Sequence, residues 1–90
     1  MLLKNKTAII TGSNKGIGKE ILKVFSKNGA NIFACTRNIN DEFKLLLDEL
    51  SKKYKNEIIP IKLDLADENQ VKDAANTIVK AGKPIDILIN

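Results

Sequence analysis

Histidine and tryptophan are absent from this chain of 90 residues, and cysteine, methionine and tyrosine occur once each. Without an imidazole, every catalytic scheme that needs one is excluded. With a single thiol as well, there is no ligand set for zinc, and no metal site is expected. Cys35 has no partner for an internal disulfide, which suits a reducing, cytoplasmic setting. No apolar run approaches the roughly 18 residues that a membrane span needs. The opening Met1-Leu2-Leu3-Lys4 lacks a signal-peptide core. Arginine is nearly missing too, since Arg37 stands alone beside fourteen lysines. Those lysines are interleaved with acids from Lys4 to Lys83, so the net charge of +4 describes a solvated surface. A nucleic-acid partner, which needs a clustered basic footprint, is not expected.

What is present is an aliphatic core and a regular alternation of strand and helix signals. Aromatic residues make up only 4% of the chain, so isoleucine, leucine, valine and alanine must fill the interior. Lys6–Thr11 is a short β-prone run that ends at a glycine. From Gly16 the apolar positions Ile17, Ile21, Val24 and Phe25 predict one face of a helix, closed by Asn28-Gly29. Asn31–Cys35 is a second strand. Asn40 or Asp41 caps a second helix with the stripe Phe43, Leu46, Leu47, Leu50 and Tyr54. Glu57–Leu63 is a third strand, and Pro60 inside it demands a sheet edge, because proline has no N–H for the ladder. Asp67 with Gln70 marks the start of a third helix carrying Val71, Ala74, Ala75, Ile78 and Val79, which stops at Gly82. Ile85–Ile89 is a fourth strand. Strict alternation implies an α/β architecture, a doubly wound parallel sheet with helices on both faces. Residues 1–90 are expected to form its amino-terminal, incomplete part, with no internal boundary. Right-handed crossovers predict the strand order 3-2-1-4.

The segment Thr11-Gly12-Ser13-Asn14-Lys15-Gly16-Ile17-Gly18 lies between the first strand and the first helix, where a phosphate-binding turn belongs. Gly12 permits a sharp exit from the strand, Gly16 allows close backbone approach to a pyrophosphate, and Gly18 allows the helix to pack close to the sheet. The helix amino terminus adds unpaired N–H groups and partial positive charge. Glycines are also common wherever a strand turns into a helix, so the turn alone is a modest signal.

The spacing T-G-x-x-x-G-I-G resembles the short-chain dehydrogenase/reductase superfamily. Asp64-Leu65 after the third strand resembles the family's adenine-binding turn, and Asp86-Ile87-Leu88-Ile89-Asn90 is similar to the start of its D-I-L-I-N-N-A-G segment. The resemblance covers the whole chain and implies a Rossmann-type fold and a nicotinamide dinucleotide cofactor. It implies that Ser13 and Asn14 offer turn backbone to the phosphates, that Asp64 and Leu65 receive the adenine, and that Asn90 lines the cleft near the ribose. Local alternatives are that Asp64 satisfies turn N–H groups and that Asn14 is a turn former.

An acid at the end of the second strand would select NAD, whereas an arginine accommodates a 2′-phosphate. This chain has Cys35-Thr36-Arg37 there and no acid before Asp41. Arg37 can fork onto a phosphate, and Lys15 resembles the family's second basic marker, so NADP is expected over NAD. The alternative for either residue is an ordinary surface charge. The family's catalytic tyrosine and lysine are spaced Y-x-x-x-K, but four residues after Tyr54, the sole tyrosine, stands Ile58. No catalytic residue is assigned, and this chain alone is expected to be inactive. The resemblance is closest to 3-oxoacyl-acyl-carrier-protein reductases, which implies a small carbonyl or hydroxyl substrate or an acyl carrier, and a tetramer. The chain is then the amino-terminal portion of such an enzyme; an inactive nucleotide-binding module or gene remnant is the alternative.

Overall fold

Strand and helix alternate without interruption in the computed structural model, which describes residues 1–90. In chain order the elements are β1 (Thr7–Ile10), α1 (Gly16–Lys27), β2 (Asn31–Thr36), α2 (Asp41–Tyr54), β3 (Ile58–Lys62), α3 (Glu68–Lys80) and β4 (Ile87–Ile89). All three strand pairings are parallel, and the spatial order is β3-β2-β1-β4, as the crossover rule predicts. Pro60 falls opposite Ala34 on β3, which has a neighbour on one side only. Its missing N–H therefore sits where a ladder tolerates it.

Alternate side chains of each strand point to opposite faces. Ala8, Ile10, Ile32 and Ala34 face α1 and α2, where Leu22, Phe43, Leu47 and Leu50 close over them. Phe33, Cys35 and Ile61 face the other way and meet Ala74 of α3. The two-sided core explains why β2 is apolar and buried along nearly its whole length.

The helices begin and end for local reasons. The Asn40 side chain accepts from Phe43 N at 2.8 Å, and the Asp67 carboxylate accepts from Asn69 N and Gln70 N. Helix α2 stops at Lys55, which adopts the left-handed region with φ 56°, and α1 stops before Gly29, with φ 90°. The loop between α2 and β3 is tied down by buried Asn56, whose amide donates to Ala30 O at 2.6 Å and so joins this loop to the entry of β2.

Three readings of the sequence need correction. The stripe predicted for α1 is rotated: Ile21 and Phe25 pack against the core, but Ile17 is 80% and Val24 53% exposed, while Leu22 and Ser26 are fully buried. The helix turns its small residues, Gly18 and Ser26, to the sheet, and a count of large apolar positions overlooks them. Burying Leu22 contributes roughly 1.5–3 kcal/mol. Along α3, Val71 and Val79 are exposed and Ala74 alone is buried. The fourth strand is also shorter than predicted, because at Asp86 a side chain takes a backbone role. Its carboxylate accepts from Thr7 N at 2.9 Å while its own N–H donates to Thr7 O at 2.9 Å. No helix is long and apolar enough to cross a membrane.

Candidate functional site

The carboxyl ends of β1, β2 and β3 open into a cleft of about 680 Å³. It is lined by the turn after β1 (Thr11, Gly12, Asn14, Lys15), the end of β2 (Thr36, Arg37, Asn38) and the segment after β3 (Leu63 to Ala66). A parallel sheet places its ligand at this end, beside the first strand-to-helix turn. Six residues singled out from sequence meet here: Gly12, Asn14, Lys15, Arg37, Asp64 and Leu65.

The other five lie around the rim or beneath it. Ser13 is fully buried under the turn, with both its N–H and its hydroxyl donating to Cys35 O, at 3.1 and 3.0 Å. It fastens the turn to β2 and presents no side chain to the cleft. Gly16, Ile17 and Gly18 form the first turn of α1. The first helical bond is made by Lys19 N to Lys15 O at 3.3 Å, and the Lys15 side chain makes no cap. The N–H groups that precede it are therefore available to an anion. Asn90 stands on the opposite side of β1, its Oδ1 3.0 Å from the Thr11 hydroxyl.

Gly18 shows why the turn sits close to the helix. A Cβ built there would strike Gly12 O and lie 2.8 Å from Gly12 C. Gly16 answers a different demand, since its φ of 59° is in the left-handed region and space around it is open.

The cleft carries two bases, Lys15 and Arg37, against one acid. Arg37 Nε lies 3.9 Å from Asp64 Oδ1. Both side chains are exposed, so water screens the pair and it adds little to stability. The same Asp64 oxygen accepts from Ala66 N at 3.0 Å, while Oδ2 has no partner. Thr11, Thr36, Asn38, Leu63 and Ala66 were not singled out from sequence. Their common property is position at or just past a strand's carboxyl end, a signal that the topology alone could have supplied.

Cys35 lies under this site and is only 1% exposed. Burial pushes its thiol up from 9.0 to about 11. The thiolate is the reactive species, so alkylation near neutral pH is expected to run at least about 100-fold slower in the folded protein than in urea. Because the folded state holds this proton more tightly than the unfolded chain, the stabilisation is full below pH 9.0 and fades as pH rises through about 11. Equal alkylation rates with and without urea would contradict the burial.

Comparisons with known proteins agree with this fold. The family model described as short chain dehydrogenase matches residues 6–90. A short chain dehydrogenase from Pseudocercospora fijiensis is 34% identical over 98% of this chain and 28% of its own length. The oxidoreductase UcpA of Salmonella typhimurium is 38% identical over 98% of this chain and 32% of its own. Among solved structures, L-sorbose reductase from Gluconobacter frateurii, complexed with NADPH and L-sorbose, superposes with a TM-score of 0.87 at 30% identity, covering 98% of this chain and 33% of that one. The chain thus spans about a third of the length of the relatives it matches.

Proposed function

Because the chain belongs to the short-chain dehydrogenase family, we propose that it forms the NADP(H)-holding part of an oxidoreductase acting on a small carbonyl or hydroxyl compound. The observation that carries this reading is the cleft at the strand ends, with Lys15 and Arg37 on its wall and no acid at the end of β2. When bound, the nicotinamide cofactor supplies or accepts the hydride.

The residues present fit such a group. The unpaired N–H groups of Gly16, Ile17 and Gly18 receive the pyrophosphate, with turn backbone from Gly12 and Asn14. Ser13 keeps that turn in place through Cys35 O. Arg37 and Lys15 take the 2′-phosphate, Arg37 by a fork of two charge-assisted hydrogen bonds. The free Oδ2 of Asp64 and the backbone of Leu65 receive the adenine, and Asn90 lies on the ribose side. The NADPH bound to L-sorbose reductase supports the choice of cofactor.

No proton donor is assigned within this chain, and Tyr54, its sole tyrosine, is half-buried against the core. The acyl-carrier substrate is the narrower version of this proposal, and a ketose or other small ketone is its competitor. Titrating the full-length protein with NADPH and NADH, then following nicotinamide absorbance with ketoses, ketones and 3-oxoacyl thioesters, tests both levels. NADPH is expected to bind at least about tenfold more tightly, as charge-assisted bonds to one phosphate would give. Tighter binding of NADH, or of neither, overturns it.

A further inference from the structure

The side chain of Gln70 does something that a helix cap alone does not require. In a capping box, the residue in this place reaches back to the N–H of the cap residue itself. Here the Gln70 Oε1 passes over the cap, Asp67, and accepts from Asp64 N at 2.9 Å, three residues further back. Its Nε2 donates to Asp67 Oδ2 at 3.3 Å, and its own N–H donates to Asp67 Oδ1 at 3.2 Å. The amide is thus fixed at both ends, so Oε1 is held in place beneath the segment that lines the cleft.

That segment is closed by two further bonds. Asp67 N donates to Asp64 O at 2.9 Å, and Ala66 N donates to Asp64 Oδ1 at 3.0 Å. Asp64 is therefore gripped at its N–H, its carbonyl and one carboxylate oxygen, while Oδ2 is left free. Gln70 is half-buried and does not line the cleft, yet it supplies the only grip on the Asp64 N–H. Were it removed, that N–H would have to turn toward water, and the carboxylate would turn with it.

We infer that Gln70 is a positioning residue for the adenine end of the cofactor site, acting through the backbone of Asp64. This rests on the cofactor reading above. It assigns selectivity for the adenosine half to the first turn of α3, an element that contributes no surface to the cleft. Glutamine is the suitable residue, because a single neutral side chain accepts from Asp64 N and donates to Asp67. A glutamate would keep the first bond, lose the second and add a negative charge beside two aspartates.

The test uses the full-length protein with Gln70→Met, which removes the acceptor at similar length, and Gln70→Ser, too short to reach, as the second variant should the first not fold. Affinity for 2′,5′-ADP, which carries only the adenosine end, is expected to fall about three- to tenfold, as the loss of one neutral hydrogen bond would give. Binding of reduced nicotinamide mononucleotide, which lacks that end, is expected to be unchanged. Gln70→Glu is expected to recover more than half of the lost affinity on a logarithmic scale. In parallel, hydrogen exchange at the Asp64 amide is expected to quicken about tenfold or more in Gln70→Met while amides in the middle of α3 keep their protection. Equal weakening of both probes, or an unaltered 2′,5′-ADP affinity, overturns the inference. A wild-type protein that binds neither probe overturns the cofactor reading instead, and an Asp64 amide that exchanges no faster then overturns the role of Gln70 on its own.

Discussion

Gly18→Ala is expected to destabilise the fold by about 1–3 kcal/mol, the range for forcing atoms into a packed site, and to abolish most dinucleotide binding. In an ordinary helix the change would help, since alanine is favoured over glycine by about 1 kcal/mol. Here the added Cβ meets backbone and not the movable end of a side chain: Gly12 O first, then Gly12 C at 2.8 Å and Thr11 O at 3.2 Å. Neither group can give way without moving the turn, because Thr11 N is bonded to Ile89 O at 3.0 Å and Ser13 is bonded to Cys35 O. The start of α1 must therefore lift off the sheet, and the N–H groups that face the cleft move with it. Gly16→Asn separates this effect from simple loss of a glycine. Nothing lies within 4 Å of a Cβ at Gly16, and asparagine tolerates the positive φ found there. Urea unfolding is expected to show a large loss for Gly18→Ala and a small one for Gly16→Asn. NADPH binding is expected to fall in both, because a side chain at position 16 would stand where the backbone approaches the pyrophosphate. Similar unfolding of the two variants would mean that conformational freedom, and not close approach, is what this turn demands.

Most of the architecture was legible because each element announces itself locally. The α2 stripe Phe43, Leu46, Leu47, Leu50 and Tyr54 packs as its periodicity implies, since most of its neighbours in sequence are charged, the exposed Leu45 being the apolar exception. Pro60 located the sheet edge by what it cannot donate. The rotation of α1 was not legible, because its sheet-facing line runs through Gly18, Leu22 and Ser26, and two of those three are small. Hydrophobic counting favours large residues, whereas close packing here favours the absence of a side chain.

The site divides in the same way. Both the glycine turn and Asp64 line the cleft; the turn could be found by residue type and Asp64 through the family resemblance. Thr36, Asn38 and Ala66 could not, because they line the cleft only by standing where strands end. Gln70 was legible as a helix-start residue, but its bond to Asp64 N depends on how the chain between β3 and α3 folds back. Three-residue spacing indicates a cap; it does not indicate a bond that skips past it. Residues that line the cleft through a motif are thus easier to find from sequence than a residue that bonds to them from outside it.

Arg37→Ala is expected to weaken NADPH by roughly 10- to 150-fold, the equivalent of losing about 1.5–3 kcal/mol of hydrogen bonding to a charged group. The guanidinium is 77% exposed and pairs with Asp64 only through Nε at 3.9 Å, so removing it should hardly alter stability. The effect on the cofactor is larger for two reasons. The fork lost is the one group at the end of β2 able to bind a phosphate at two points, and Lys15 across the cleft is a single flexible charge. The Asp64 carboxylate, no longer faced by a cation, would also repel a phosphate placed in the same cleft. NADH lacks that phosphate, so its affinity is expected to change by less than about threefold, and the preference between the two cofactors should shrink by nearly the full factor. Arg37→Lys is expected to fall between the wild type and Arg37→Ala, keeping charge without the fork. Higher salt should weaken NADPH more in the wild type than in Arg37→Ala, because the attraction being screened is present only in the former. If NADPH and NADH weaken equally in Arg37→Ala, the residue acts on the shape of the β2 terminus and not on the 2′-phosphate.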